Sequence, residues 1–284
     1  MTNLLIDPFI SYGFMRRALV ACLAISVSST PLGVFLLLRR MSLVGDALSH
    51  AILPGVAISY LIYGMSRTAM GIGGFVAGMV VVVLSCWVSM ISSLKEDACF
   101  AGFYLGSLSL GIILVSLCHE NNNLLHLLFG SILTIDIDAI YFIGIVASIT
   151  FLTLALLYRA IVVESFDVKF LLVNSSKIPF LIQFLFLVLV VLNLVAGFQI
   201  LGTMMSIGMM ILPVVTAYCW TNWLPYLFVL AAIIGLFCSF CGLSCSFYTH
   251  IPAGSTIILI ASIVFLISVL FGTRGGKARI FYHR

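Results

Sequence analysis

The chain has 284 residues, of which 63% are hydrophobic and only 8% charged, with a formal net charge of +4. So few charges cannot coat a water-soluble body of this size, so the composition points to a polytopic membrane protein. The small, dispersed positive balance gives no electrostatic footprint for nucleic acid, and the basic ends are expected to set membrane orientation instead.

Residues 1–13 form a short, mildly amphipathic lead-in. Leu19-Val20-Ala21-Cys22 has the form of a lipoprotein cleavage site. It follows Arg16-Arg17 without an apolar region of normal length, so it reads as part of a first span over 14–38. That span ends at Arg39-Arg40.

The second span, 43–63, is of another kind. From Arg39 the sequence runs Arg-Arg-Met-Ser-Leu-Val-Gly-Asp-Ala-Leu-Ser-His-Ala-Ile-Leu-Pro-Gly-Val, a polar, breaker-containing passage inside an otherwise apolar chain. Asp46 and His50 are four residues apart, which places them on one helix face, about 6 Å apart along the axis. An ionisable pair inside a membrane segment marks an ion or substrate pathway by default, and both residues are metal-ligand types. The plainer alternative is a helix-end carboxylate and a histidine satisfied by a neighbouring carbonyl. Pro54-Gly55 favours the pathway, because such a break is tolerated where neighbouring helices or a water-filled cavity satisfy the freed backbone groups.

The passage 39–56 resembles the signature of the membrane permeases of bacterial manganese, zinc and iron ABC importers. The resemblance covers most of the chain and is densest at 39–60, 160–175, 197–217 and 248–262. It implies an all-α transmembrane bundle of about eight to nine spans, of the type II ABC importer kind, with residues 1–284 forming one permease domain. It further implies that Asp46 and His50 pass the metal ion through the membrane.

A third span is expected over 68–94, where Gly71, Gly73, Gly74 and Gly78 allow close helix packing, and a fourth over 99–118. The loop His119-Glu120-Asn121-Asn122-Asn123 reads as turn chemistry. Residues 124–133 are too short to cross and suit a re-entrant or interfacial piece, in which His126 has no acidic neighbour in sequence. Asp136 and Asp138 open a fifth span to Tyr158, where negative charge suits a helix N-terminus.

Residues 159–177 are the extended polar stretch of the second half. Val163, Phe166, Phe170 and Val173 recur at helical spacing with Glu164, Asp167, Lys169 and Asn174 between them, the pattern of a short amphipathic surface helix or a solvated loop helix. The resemblance implies a docking role here: Phe166-Asp167 matches the permeases' cytosolic segment, placing a coupling element at about 160–176 with Phe166, Asp167 and Phe170 toward an ATP-binding subunit. Asn174 stands where the family pattern has a glycine.

Further spans are expected over 179–196, 201–220, 225–241 and 251–272. The second of these, glycine- and proline-interrupted around Gly202, Gly208 and Pro213, resembles the family's other strongly patterned helix. Residues 248–254 resemble the loop into the final span, with His250 a departure. The tail with Arg274, Lys277, Arg279 and Arg284 is basic and expected to be cytosolic. Counting back through nine spans also puts 159–177 and Arg39-Arg40 inside and the N-terminus outside.

Eight cysteines lie mainly in apolar runs, against a disulfide framework. Cys238, Cys241 and Cys245 share roughly one helix face, but cysteine-built zinc sites usually need four ligands, so packing is the expected role. Methionines 204, 205, 209 and 210 read as apolar filler rather than thioether ligands. Gly275-Gly276-Lys277-Ala278 lacks the leading glycine and the hydroxyl of a phosphate-binding loop, so ATP hydrolysis is expected in a separate subunit and the chain itself is not expected to be an enzyme.

These readings lead to the permease subunit of an ABC importer in the bacterial inner membrane. A homodimer would form the pathway for a divalent transition metal, with no resident cofactor, an ATP-binding subunit inside and an extracellular or periplasmic metal-binding protein outside. Manganese, zinc and iron all accept carboxylate and imidazole, so ligand type does not separate them. Two other classes compete: an ion-coupled secondary transporter using Asp46 and His50 as a proton or metal relay, and a membrane-embedded metalloenzyme.

Overall fold

Lipid offers no partner for a peptide N–H or C=O, so an apolar chain that enters it closes its backbone hydrogen bonds within helices. The computed structural model describes residues 2–64, 66–92, 96–117, 137–166, 177–249 and 251–272. Among the described residues it is all-α. In chain order the helices are α1 (Thr2–Ser11), α2 (Gly13–Leu38), α3 (Ser42–Ala51), α4 (Leu53–Tyr63), α5 (Arg67–Ile91) and α6 (Glu96–Leu117), then α7 (Ile137–Phe166), α8 (Lys177–Leu201), α9 (Thr203–Tyr218), α10 (Leu224–Thr249) and α11 (Ala253–Phe271). Among the described residues eight helical stretches are long and apolar enough to cross a membrane, with α3 and α4 together counted as one. The chain is a multi-pass membrane protein.

The span expected over 201–220 is α9, only 16 residues long. At 1.5 Å per residue it covers about 24 Å, less than the hydrocarbon thickness. Its environment removes the difficulty, since α9 packs against α2, α3, α8, α10 and α11 and is mostly buried. Gly202, at φ +84°, turns the chain from α8 directly into it.

Helices α2 and α9 form the middle of the bundle. Each contributes to all three apolar cores: Phe35 and Met210 to the largest, Cys22 and Met209 to the second, Val34 and Val214 to the third. Gly33 permits their crossing, because a Cβ there would collide with the Met210 carbonyl. The outside of the bundle is apolar, with Ile72, Ile112, Leu152, Leu156, Leu259 and Leu266 exposed, as a lipid-facing surface requires.

The second span breaks where the sequence places Pro54. Proline has no N–H to give, and α3 stops at Ala51 before α4 resumes at Leu53. Ser107 of α6 donates its hydroxyl to the Ala51 carbonyl at 3.1 Å, which gives that carbonyl a partner at the break. The third span packs as its glycines suggest. Gly55 and Gly73 let α4 and α5 touch backbone to backbone, while Gly74 and Gly78 accommodate Ile52 and Val191.

Two boundaries differ most from expectation. The fifth span does not end near Tyr158 but continues unbroken to Phe166, so 159–166 belong to the membrane helix. Helix α10 likewise runs on past Cys241 to Thr249. The expected loop at 119–123, the piece at 124–133 with His126, Asp136, Asp167, Phe170, His250 and the basic tail lie outside the described residues.

Candidate functional site

The approach to the site is a tight turn. At the end of α2 the amide of Arg40 donates to the Leu37 carbonyl and that of Met41 to the Leu36 carbonyl, both at about 3 Å. This closing pattern needs a left-handed residue, normally glycine, and Arg40 supplies it at φ +59°. Three residues therefore join α2 to α3, which opens at Ser42.

On α3, Asp46 and His50 share a face as their spacing predicts, with His50 Nε2 3.7 Å from Asp46 Oδ1. The two are not equally placed. The Asp46 side chain is 52% exposed and that of His50 only 22%. Leu43, one turn earlier, is 76% exposed, so Leu43 and Asp46 look out of the bundle within a spanning segment.

The other side of α3 is fixed. Gly45 lies against Met210 and Ile211 of α9, and Ser49 donates its hydroxyl to the Asp46 carbonyl at 2.8 Å. Tyr104 of α6 stacks on the His50 ring at 6.3 Å between centroids and 29° between planes. His50 Nδ1 is buried and has no hydrogen-bond partner among the described residues. The imidazole is thus held by packing, with Nε2 turned toward Asp46.

Among the described residues no three of His, Cys, Asp and Glu gather into a metal-binding group. Cys238 is buried, Cys241 half-buried and Cys245 exposed, so the three thiols serve different surroundings along α10. Met205, Met209 and Met210 are buried in the apolar cores, the packing role expected of them. Asp138 sits in the first turn of α7, as expected of a negative charge near a helix N-terminus.

Two features escaped the sequence reading. Tyr104 gives no local signal, because an aromatic in an apolar span is unremarkable until a histidine is found beneath it. Glu164 fell on the supposed polar face of a surface helix, yet it is 6% exposed and paired with Arg39 at 2.9 Å. Phe166, in the same turn, is 69% exposed at the very end of α7.

Known proteins place the whole chain. Residues 11–272 match the model of the ABC 3 transport family. The manganese transport system membrane protein MntC of Listeria monocytogenes is 34% identical over 273 residues, covering 96% of each chain. The manganese import system permease protein ScaB of Streptococcus parasanguinis is 34% identical, covering 96% of this chain and 95% of its own. A probable iron transport system membrane protein of Haemophilus influenzae is 32% identical, covering 97% and 96%. Among solved structures, PsaBC from Streptococcus pneumoniae in complex with Fab matches with a TM-score of 0.85 at 30% identity, over 99% of this chain and 100% of that one. An inward-facing metal-chelate type ABC transporter shares the fold, with a TM-score of 0.73 at 16% identity over 89% and 84%. The all-α bundle of the described residues, its broken second span and the match across nearly the full length agree: this chain belongs to the ABC 3 transport family.

Proposed function

We propose that the chain is the permease subunit of an ABC importer that carries a divalent transition metal, manganese foremost, across the bacterial cytoplasmic membrane. The observation that carries this reading is the Asp46–His50 pair: two metal-ligand side chains on one face of a spanning helix, the carboxylate half exposed toward the outside of the bundle. One chain offers two ligands there, and a divalent metal takes about four or more. A second copy related by a two-fold axis would bring Asp46 and His50 from each chain together, giving four ligands, two of them anionic. The relatives named for manganese support the choice of cargo, and the iron-named relative keeps ferrous ion close behind. Zinc fits the same ligands, so selectivity is assigned to an external metal-binding protein.

The chain carries no phosphate-binding loop, so the motor is assigned to a separate ATP-binding subunit. Its docking segment is placed at about 160–176, where the exposed Phe166 leads into Asp167 and Phe170. Membership of an ABC transport family favours ATP-driven transport over an ion-coupled relay or a metalloenzyme. The test is reconstitution of the chain with its ATP-binding and metal-binding partners in proteoliposomes. Manganese should accumulate only with ATP and the binding protein present. Accumulation driven by a proton gradient without ATP would overturn the reading. The docking role has its own test: Phe166→Asp with Phe170→Asp should release the ATP-binding subunit while the permease stays inserted, and undiminished co-purification would refute it.

A further inference from the structure

A second charge constellation lies where the ends of α2 and α7 meet the side of α8 at Phe186. Arg39 Nη2 donates to Glu164 Oε2 at 2.9 Å, and Arg39 Nε donates to Ser165 Oγ at 3.2 Å. Ser165 sends its own proton to the Ile161 carbonyl at 2.7 Å, which leaves its lone pairs for the guanidinium. The guanidinium carbon also sits 4.4 Å from the centre of the Phe186 ring, which is fully buried and packed edge-on against Phe35. The Arg39 and Glu164 side chains are 7% and 6% exposed.

Stability alone does not account for this pair. Burying two ions loses hydration that their attraction often only offsets, and apolar side chains of similar volume commonly serve as well. What a directional, multiply bonded pair adds is register between the elements it joins. On one side, Arg39 starts the three-residue link to α3, a link whose amides are tied back to α2 and which has little slack. On the other, the buried Glu164 and its neighbour Ser165 stand in the last turn of α7, within the segment assigned to docking but ahead of Phe166, Asp167 and Phe170, the residues assigned to the contact itself. Mid-span, Asn193 of α8 donates to Thr150 of α7 at 2.7 Å, so α7 and α8 are bonded to each other as well as packed.

We propose that Arg39 and Glu164 are positioning residues for transport: the joint through which a displacement of the docking segment reaches α3, and with it Asp46 and His50. The proposal rests on the docking reading of 160–176. Neither residue touches the ion. Each fixes one end of a short rigid path from the end of α7 to the metal-ligand helix, and packed elements of this kind shift between discrete arrangements rather than deforming smoothly.

The experiment uses the reconstituted complex and reads manganese transported per ATP hydrolysed, alongside assembly and basal ATP hydrolysis. Arg39→Met with Glu164→Leu replaces the pair by apolar side chains of similar volume, and is the variant best suited to keep the fold. It should insert and assemble as the wild type does and hydrolyse ATP within about twofold of it, while transport per ATP falls at least about tenfold. Glu164→Gln should fall in the same direction, and Arg39→Lys, which keeps the charge but not the planar fork, should recover part of the ratio. A wild-type ratio in the double variant overturns the proposal, as does a loss of transport that merely follows loss of assembly. Failure of the docking reading is distinguishable: there the Phe166 and Phe170 variant retains its ATP-binding subunit, whatever the Arg39 and Glu164 variants do.

Discussion

Two carboxylates of this bundle meet opposite surroundings, and the contrast assigns them different work. Glu164 has an arginine at 2.9 Å and almost no exposure, so its charge is already answered. Among the described residues Asp46 has His50 at 3.7 Å and half of its side chain open, so its lone pairs remain available to an ion that needs them. Arg40, in the short link between α2 and α3, holds a left-handed conformation that costs a non-glycine residue roughly 1–2 kcal/mol. Arg40→Gly should therefore leave stability unchanged within about 1 kcal/mol, the released strain being offset by the greater freedom of glycine in the unfolded chain. Arg40→Val should lower it by at least about 1 kcal/mol, because a β-branched residue is a genuine outlier there. Thermal unfolding of the purified chain in detergent checks both, and a valine variant as stable as wild type would contradict the tight-turn account.

At the scale of elements, glycines decide which helices touch. A Cβ on Gly73 would strike the Ser59 hydroxyl and the Gly55 carbonyl, so α4 and α5 meet only because both positions are bare. Gly73→Val should push the helices apart and destabilise the chain by about 1–3 kcal/mol. Gly102→Val, at a position with nothing within 4 Å, should be nearly silent in the same unfolding assay. The pattern of legibility follows from the same physics. The break at Pro54 was readable because a missing N–H is a property of one residue, and the Asp46–His50 face because helical spacing is local. The continuation of α7 to Phe166 was not readable. The polar residues of 159–166 suggested a surface helix, and the partner that buries Glu164 lies 125 residues away. Tyr104 over His50 is hidden for the same reason. Helix α9 was expected at membrane length but is shorter, since a helix enclosed by neighbours need not match the hydrocarbon.

For the whole molecule, charge distribution bears on orientation and the exposed face of α3 bears on pairing. The basic residues at Arg39-Arg40 and in the tail from Arg274 should face the cytosol. Single cysteines placed at either region should stay unlabelled by an impermeant thiol reagent added outside cells, and labelling there would overturn the nine-span count. Pairing bears on the ion itself. Asp46 and Leu43 open toward the outside of the single bundle, so a site built on this face is completed by a neighbour rather than by the chain's own helices. In a two-fold dimer Asp46 supplies both a ligand and half of the charge that offsets a divalent cation within the membrane, whereas His50 supplies a ligand alone. Asp46→Ala should then reduce manganese uptake about 100-fold or more, and His50→Ala about tenfold, taking the usual losses for groups that support a metal as the lower guide. Asp46→Asn keeps size and one oxygen ligand but not the charge, so it should resemble Asp46→Ala rather than wild type. Uptake is to be measured beside assembly with the ATP-binding subunit, because Asp46 lies on the face proposed to pair. Near-wild-type uptake by Asp46→Asn would remove charge compensation from the mechanism, and loss of uptake that tracks loss of assembly would assign Asp46 to pairing instead of passage.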